Sequence, residues 1–217
     1  MNPERPARSL AGLVDSLLVA ADEALRALSG AATAARPSPA TERTVPSRVE
    51  DRELSGRLMR VNHTGEVCAQ ALYSGQALVA RDPSIRRALQ LAAGEERDHL
   101  AWCRDRIDQL GSRTSLLDPL WYAGSFAWGV ASGLAGDRWS LGFLAETEHQ
   151  VERHLESHLE RLAHDDTPSR AIVLQMREDE ARHGATGRAL GGAELPESVK
   201  AAMRAASRVM TGTTYWI

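Results

Sequence analysis

Glu96 and His99 stand three residues apart, and so do Glu180 and His183. On an α-helix such a spacing puts a carboxylate and an imidazole on one face, where both can reach a single metal ion. Two such pairs on facing helices, completed by one glutamate from each of two further helices, form a carboxylate-bridged di-metal site inside a four-helix bundle. Glu146 and His149 make a third Glu-x-x-His pair, so spacing alone does not pick the ligands.

Periodicity separates them. The apolar seam of the helix that carries the third pair is Leu141, Leu144, Val151, Leu155, Leu159 and Leu162, and Glu148 falls in it. Glu146 and His149 point away with Ala145, Glu152 and Arg153, which predicts a solvated pair and makes Glu148 the ligand. In the preceding half, one stripe runs through Leu58, Asn62, Glu66, Ala69, Tyr73 and Gln76, which selects Glu66. Gly65 beside it is expected to allow close helix approach. The Glu-x-x-His helix of that half has the seam Leu89, Ala92, Glu96, His99, Cys103 and Ile107, an apolar row broken by two ionisable groups. Burial of unpaired charge costs several kcal/mol, so these groups require partners or a metal. Glu66 and Glu96 are 30 residues apart and Glu148 and Glu180 are 32, so each half reads as a glutamate helix followed by a Glu-x-x-His helix. Four carboxylates and two imidazoles suit two iron or manganese ions about 3.5–4 Å apart. Zinc would more often recruit cysteine, and neither cysteine is placed for it. Asp98 and Asp179 are either orienting partners of an imidazole or exposed helix charges.

These residues need helices to position them. Residues 9–29 read as an amphipathic helix with Leu10, Leu13, Val14, Leu17, Leu18, Ala21, Leu25 and Leu28 on one side and Gly30 as its stop. It is an appendage, a partner or membrane contact, or a cover for the bundle. A proline-rich stretch with Pro37, Pro39 and Pro46 reads as a linker, so the chain divides into 1–30, a linker 31–50 and a catalytic unit 51–217. Bundle helices are expected from about Asp51 to Ala80, from Pro83 to about Leu110 with Asp82 as N-cap, from about Trp139 to Ala163, and from Pro168 to about Leu190 with Thr167 as N-cap. A last short helix begins near Pro196, and the terminal Tyr215-Trp216-Ile217 is expected to dock. Between the two halves, residues 119–136 carry no charge. As a helix they would span about 27 Å. They are read as a crossover that is buried, that dips into a membrane interface through Trp121, Tyr122, Phe126 and Trp128, or that spans the bilayer.

Composition bounds the rest. The 217 residues are 43% hydrophobic but only 5% aromatic, which favours packed helices. A net charge of −3 gives no basic surface for nucleic acid. Cys68 and Cys103 both fall in helical patterns and are read as small buried side chains in a reducing compartment. No signal peptide is evident, and Asp15, Asp22 and Glu23 argue against a transit peptide.

The segments Arg60-Val61-Asn62-His63-Thr64-Gly65-Glu66, Tyr73-Ser74-Gly75-Gln76, Glu95-Glu96-Arg97-Asp98-His99, the Glu148 helix with His154, Glu180-Ala181-Arg182-His183 and the Tyr-Trp-Ile end together resemble the demethoxyubiquinone hydroxylases of ubiquinone biosynthesis. The resemblance covers about residues 50–217. It implies an all-α, ferritin-like antiparallel four-helix bundle, peripheral on the cytoplasmic side of the inner or plasma membrane. It implies a monooxygenase that uses O₂ and reducing equivalents, linked to NADH, to hydroxylate the ring of a polyprenyl benzoquinol. By carry-over, Glu66, Glu96, His99, Glu148, Glu180 and His183 hold two iron ions, and Tyr73 and His154 are the catalytic side chains near metal and substrate. A lipid-carrier protein or ubiquinone-biosynthesis complex is implied as partner. Asn62, where the family often has aspartate, and His149, where some members have glutamate, depart from the pattern. No Gly-x-Gly-x-x-Gly is present, so no nicotinamide site is argued from the chain. The competing readings are another ferritin-like di-iron oxidase or peroxidase, an iron-oxidising storage protein, and a lipid-binding protein that has lost activity. Two distant cysteines cannot build the four-cysteine centre of a rubrerythrin, and a storage cage would want a polar surface in place of a charge-free crossover.

Overall fold

The computed structural model describes residues 10–217. The predicted first residue of the leading helix, Ser9, and the side chains of Leu10 and Leu13 lie outside what it describes. Among the described residues there are seven α-helices and no strand: α1 (Leu10–Ser29), α2 (Val49–Val79), α3 (Pro83–Gln109), α4 (Asp118–Leu134), α5 (Asp137–Arg161), α6 (Thr167–Ala189) and α7 (Glu197–Thr214). Gly111 and Gly191 end α3 and α6 at φ of 67° and 92°, conformations that side chains of L-residues disfavour. Asp82 caps α3 by accepting from the Ser84 N–H, as expected. The cap of α6 is Asp166 and not Thr167: its carboxylate accepts from the Ser169 N–H while also pairing with the buried Arg106 at 2.7 Å. The last helix is a full 18 residues and not a short one.

Two antiparallel pairs make the bundle. Ala77 of α2 and Ala80 just after it share an apolar cluster with Leu89 of α3 and Leu144 of α5. At the other end, Leu58 and Met59 pack with Ile107 of α3, Leu155 and Leu159 of α5, and Ile172 and Met176 of α6. The ionisable residues of the seams fall between these two clusters along α2, α3 and α5, and those of α6 follow its residues in the second cluster. A polar layer is therefore closed off above and below by apolar side chains.

The uncharged crossover becomes α4, which runs beside α2. Glycines allow that approach: a Cβ on Gly129 would overlap the Leu72 carbonyl oxygen, and one on Gly75 would overlap that of Phe126. Gly65 plays no such part, since a Cβ there would meet nothing within 4 Å. The expectation failed because that side of α2 faces no neighbouring backbone. Thr64 Oγ1 donates to Asp118 at 2.6 Å and anchors the start of α4. Its other side points outward, with Leu120, Trp128 and Leu134 about 60% exposed, whereas Trp121 and Phe126 are half-buried. Among the described residues, no helix is long and apolar enough to cross a membrane.

Helix α1 covers the α2–α4 side, and it docks the opposite way from its leucine stripe. Ala27, with Ala24 beside it, packs on Val67, Ala71, Leu100 and Tyr122. Val14, Leu17, Leu18 and Leu25 remain exposed. Small residues let α1 come close, and the branched side chains are left outside. The stretch after it is irregular, as a linker should be, but it is not a free tether: Trp102 Nε1 donates to the Arg36 carbonyl, and Arg106 Nη1 donates to that of Thr44 at 2.8 Å. The chain end docks through Tyr215, whose ring lies under the guanidiniums of Arg57 and Arg161. Both cysteines are free thiols.

Candidate metal centre

All six side chains singled out by helical face meet in the polar layer. Glu66, Glu96, His99, Glu148, Glu180 and His183 are each at most 7% exposed. Their ligand atoms fall into two groups, each within 4.8 Å: Glu66, Glu96, His99 and Glu180 in one, Glu96, Glu148, Glu180 and His183 in the other. Glu96 and Glu180 belong to both, so these two glutamates would be shared by a pair of ions, and Glu66 and Glu148 would each serve one. The third Glu-x-x-His pair stays out: Glu146 accepts from Gln150 on its own helix and His149 is exposed. Ala145 is the exception on that side, buried against α6 near Gly187.

Each imidazole turns Nδ1 into the carboxylates. His99 Nδ1 lies 2.9 Å from Glu96, 3.2 Å from Glu180 and 3.3 Å from Glu66. His183 Nδ1 lies 3.3 Å from both Glu96 and Glu180 and 3.9 Å from Glu148. Each Nε2 meets a carboxylate of the opposite motif: His99 Nε2 is 2.9 Å from Asp179 and His183 Nε2 is 3.0 Å from Glu95. Carboxylates only accept here, so Nε2 carries a proton and the Nδ1 lone pair is available for a metal. Asp179 thus orients an imidazole, whereas Asp98 holds Ala35 and Arg36 of the strap. Glu95 was missed in the sequence. Its signal was the repeat itself: an acidic residue directly precedes the glutamate of both motifs, Glu95-Glu96 and Asp179-Glu180.

The protonation pattern fits a site built for cations. Burial, with the charge of Glu180, pushes Glu66 and Glu148 well above the usual carboxylate range. Burial works against ionised Glu96 and Glu180, but the two imidazoliums outweigh it and hold both below that range. Burial would also lower the rings; the surrounding carboxylates override it, raising His99 well above its ordinary value and His183 to about 12. Neither oxygen of Glu148 finds a hydrogen-bond donor, although the residue is 1% exposed. Buried polar atoms without partners are rare in proteins, and one oxygen each of Glu96 and Glu180 adds to those of Glu148. The donor set is what two hard or borderline divalent ions take.

Tyr73 and His154 lie on opposite sides of this layer. Tyr73 is wholly buried in the α2–α3 cluster, two helical turns beyond Glu66, and its hydroxyl has no partner. His154 lies against His158 with ring centroids 4.0 Å apart and the planes tilted by 59°, and its Nε2 is also without a partner. It follows Glu148 by six residues, toward the cluster that contains Leu155. At 1.5 Å per residue their positions on α2 and α5 are about 20 Å apart along the bundle axis. Burial and then Arg161 lower His154 to about 4, which keeps its ring neutral.

Comparison with known proteins agrees with this geometry. Residues 53–214 match the family model described as "Ubiquinone biosynthesis protein COQ7". A 3-demethoxyubiquinol 3-hydroxylase of Nitrosococcus oceani is 55% identical over 206 residues, 94% of this chain and 96% of that protein. One of Bordetella pertussis is 56% identical over 209 residues, 95% and 94% of the two chains. One of Cupriavidus metallidurans is 57% identical over 210 residues, 94% of this chain and all of that protein. A match across the whole bundle, at such identity over nearly the whole length of each chain, means that this chain belongs to the COQ7 family of ubiquinone biosynthesis proteins, with its ferritin-like helical bundle.

Proposed function

We propose that the chain is a di-iron monooxygenase that hydroxylates the ring of a polyprenylated demethoxyubiquinol with O₂. The observation that carries this reading is the pair of interlocked ligand groups sharing Glu96 and Glu180. Glu66 and His99 complete one position, Glu148 and His183 the other. Reduced iron in such a set supplies the electron transfers that O₂ requires before one of its atoms enters a ring carbon. The protein's own part is legible: two apolar clusters shut water out of the layer, Asp179 and Glu95 fix the two rings, and the glutamates balance the charge of the ions. Reducing equivalents come from an NADH-linked donor or from the quinol itself, and no dinucleotide motif assigns a nicotinamide site to this chain. Tyr73 and His154 each offer a buried polar atom without a partner, on the two sides of the layer.

A polyprenyl tail needs an apolar environment outside the bundle. The outward faces of α1 and α4, with Leu17, Leu18, Leu25, Leu120, Trp128 and Leu134 exposed, support a peripheral seat on the cytoplasmic face of the membrane. The direct test is product analysis. Reduced, iron-loaded protein given O₂ and a short-tail demethoxyubiquinol is expected to yield the ring-hydroxylated product, and a ring that stays unmodified would defeat the substrate assignment. For the membrane seat, Leu25→Ser with Trp128→Ser should weaken binding to anionic lipid vesicles at unchanged metal content, and unchanged binding would refute it.

A further inference from the structure

The irregular strap between α1 and α2 reaches the metal centre through one residue that precedes the family-matched stretch. Arg36 Nε donates to Asp98 Oδ2 at 2.6 Å. Its Nη1 lies 2.9 Å from Asp179 Oδ2, the same oxygen that accepts from His99 Nε2 at 2.9 Å. Its Nη2 is 3.5 Å from His99 Nε2. The strap is built to hold this guanidinium: the Ala35 N–H donates to the other oxygen of Asp98 at 2.6 Å, the Trp102 indole N–H donates to the Arg36 carbonyl, and the guanidinium stacks 4.9 Å from the Trp102 ring. Asp98 and Asp179 are 5% and 0% exposed, so the two carboxylates form a buried socket for the arginine. Without it, the buried Asp98 would lose its charged partner, and Asp179 would keep Arg182 and His99.

We propose that Arg36 is a positioning residue of the metal centre: it fixes Asp179 against His99 Nε2 and thereby aims His99 Nδ1 at the Glu66, Glu96 and Glu180 carboxylates. A planar guanidinium is suited to this because it spans Asp98 and Asp179 at once, with a rigid fork that an ammonium lacks. The other half of the pseudo-symmetric centre also has an arginine, but a more exposed one that does not come from the strap. His183 Nε2 meets Glu95, which is 37% exposed and is held by Arg182, itself 52% exposed. Arg182 also reaches the other oxygen of Asp179. The carboxylate that holds the strap-side ring is therefore wholly buried, although Arg36 itself is 35% exposed, and the carboxylate that holds its twin is 37% exposed. The two metal positions should differ in how firmly they keep an ion, and Arg36 creates the difference.

This inference rests on the metal reading above, and the test separates the two. Full-length protein is loaded anaerobically with two equivalents of ferrous iron, and the release of iron to a coloured chelator is followed in wild type, Arg36→Ala, Arg36→Lys and Arg43→Ala, with helix content and thermal unfolding recorded for each. Partners that orient metal-binding histidines typically contribute roughly 10–100-fold to metal retention. Wild type is expected to release its iron in two phases. Arg36→Ala should accelerate the slow phase by roughly tenfold or more while leaving the fast phase and the helix content unchanged. Arg36→Lys, which keeps the charge but loses the fork, should fall between. Arg43→Ala removes another strap contact, an exposed pair with Asp105, and should leave both phases alone. Unaltered release from Arg36→Ala overturns the proposal, and so does equal acceleration in Arg43→Ala, which would trace the effect to strap docking in general. If wild type takes up no iron, the metal reading falls and the inference falls with it.

Discussion

Loading the centre with metal should expel about four protons, a number that follows from the charges in the buried layer. In the metal-free protein, burial favours the protonated form of Glu66 and Glu148, the surrounding carboxylates favour imidazoliums at His99 and His183, and those rings favour ionised Glu96 and Glu180. Two negative and two positive groups cancel. With two divalent ions bound, all six ligands must present lone pairs, so the carboxyl protons of Glu66 and Glu148 and the Nδ1 protons of both rings leave. Four carboxylates then balance two divalent cations. The exchange keeps a dry layer neutral, which matters because uncompensated charge there costs several kcal/mol. The sign follows directly: protons compete with metal, so affinity rises with pH. While all four protons are bound in the metal-free state, the combined constant for both ions should rise by about four powers of ten per pH unit. The assay is an anaerobic ferrous titration at pH 7 in weak buffer, with released protons counted by back-titration and the loading midpoint repeated at pH 6.5 and 7.5. Release of one proton or none, or a midpoint that ignores pH, would refute the reasoning.

Three further outcomes follow from the packing. Gly129→Ala should destabilise the protein by about 1–3 kcal/mol in denaturant unfolding, because its Cβ meets the Leu72 carbonyl and only the backbones of α4 and α2 can yield. Asp166→Ala should cost about 3–5 kcal/mol by the same measurement, since it strips the α6 cap and leaves the guanidinium of Arg106, 0% exposed, without its carboxylate. Glu95→Gln should weaken iron retention roughly tenfold at unchanged fold, as the partner of His183 Nε2 becomes neutral.

The six inward side chains of the polar layer were legible because helical periodicity reports which side of a helix is inward, and that distinction separates Glu148 from Glu146 without any tertiary knowledge. The polar layer between apolar neighbours was legible for the same reason. Periodicity does not report which element fills a given side. The leucine stripe of α1 was visible, but its outward orientation depends on Ala20, Ala24 and Ala27 fitting against α2, and small residues give a weak signal. Gly65 and Gly129 are indistinguishable as letters, and only the neighbouring backbone shows which one is needed. The linker composition between Ala31 and Pro46 correctly gave an irregular chain, yet Arg36 looked like any linker cation until Asp98 and Asp179 were brought beneath it. Asp179 stood between two assignments because a carboxylate next to a ligand faces either solvent or the partner helix, and α3 decides which.

The measurement that bears most directly on the central claim is metal content per chain by elemental analysis after anaerobic iron loading, for wild type, Glu148→Ala and Glu146→Ala. Wild type and Glu146→Ala should each hold about two irons, while Glu148→Ala should lose one or both, because Glu148 belongs to one of the two groups in the buried layer and Glu146 bonds only its own helix. A wild type that binds no iron, or loss confined to Glu146→Ala, would contradict the account.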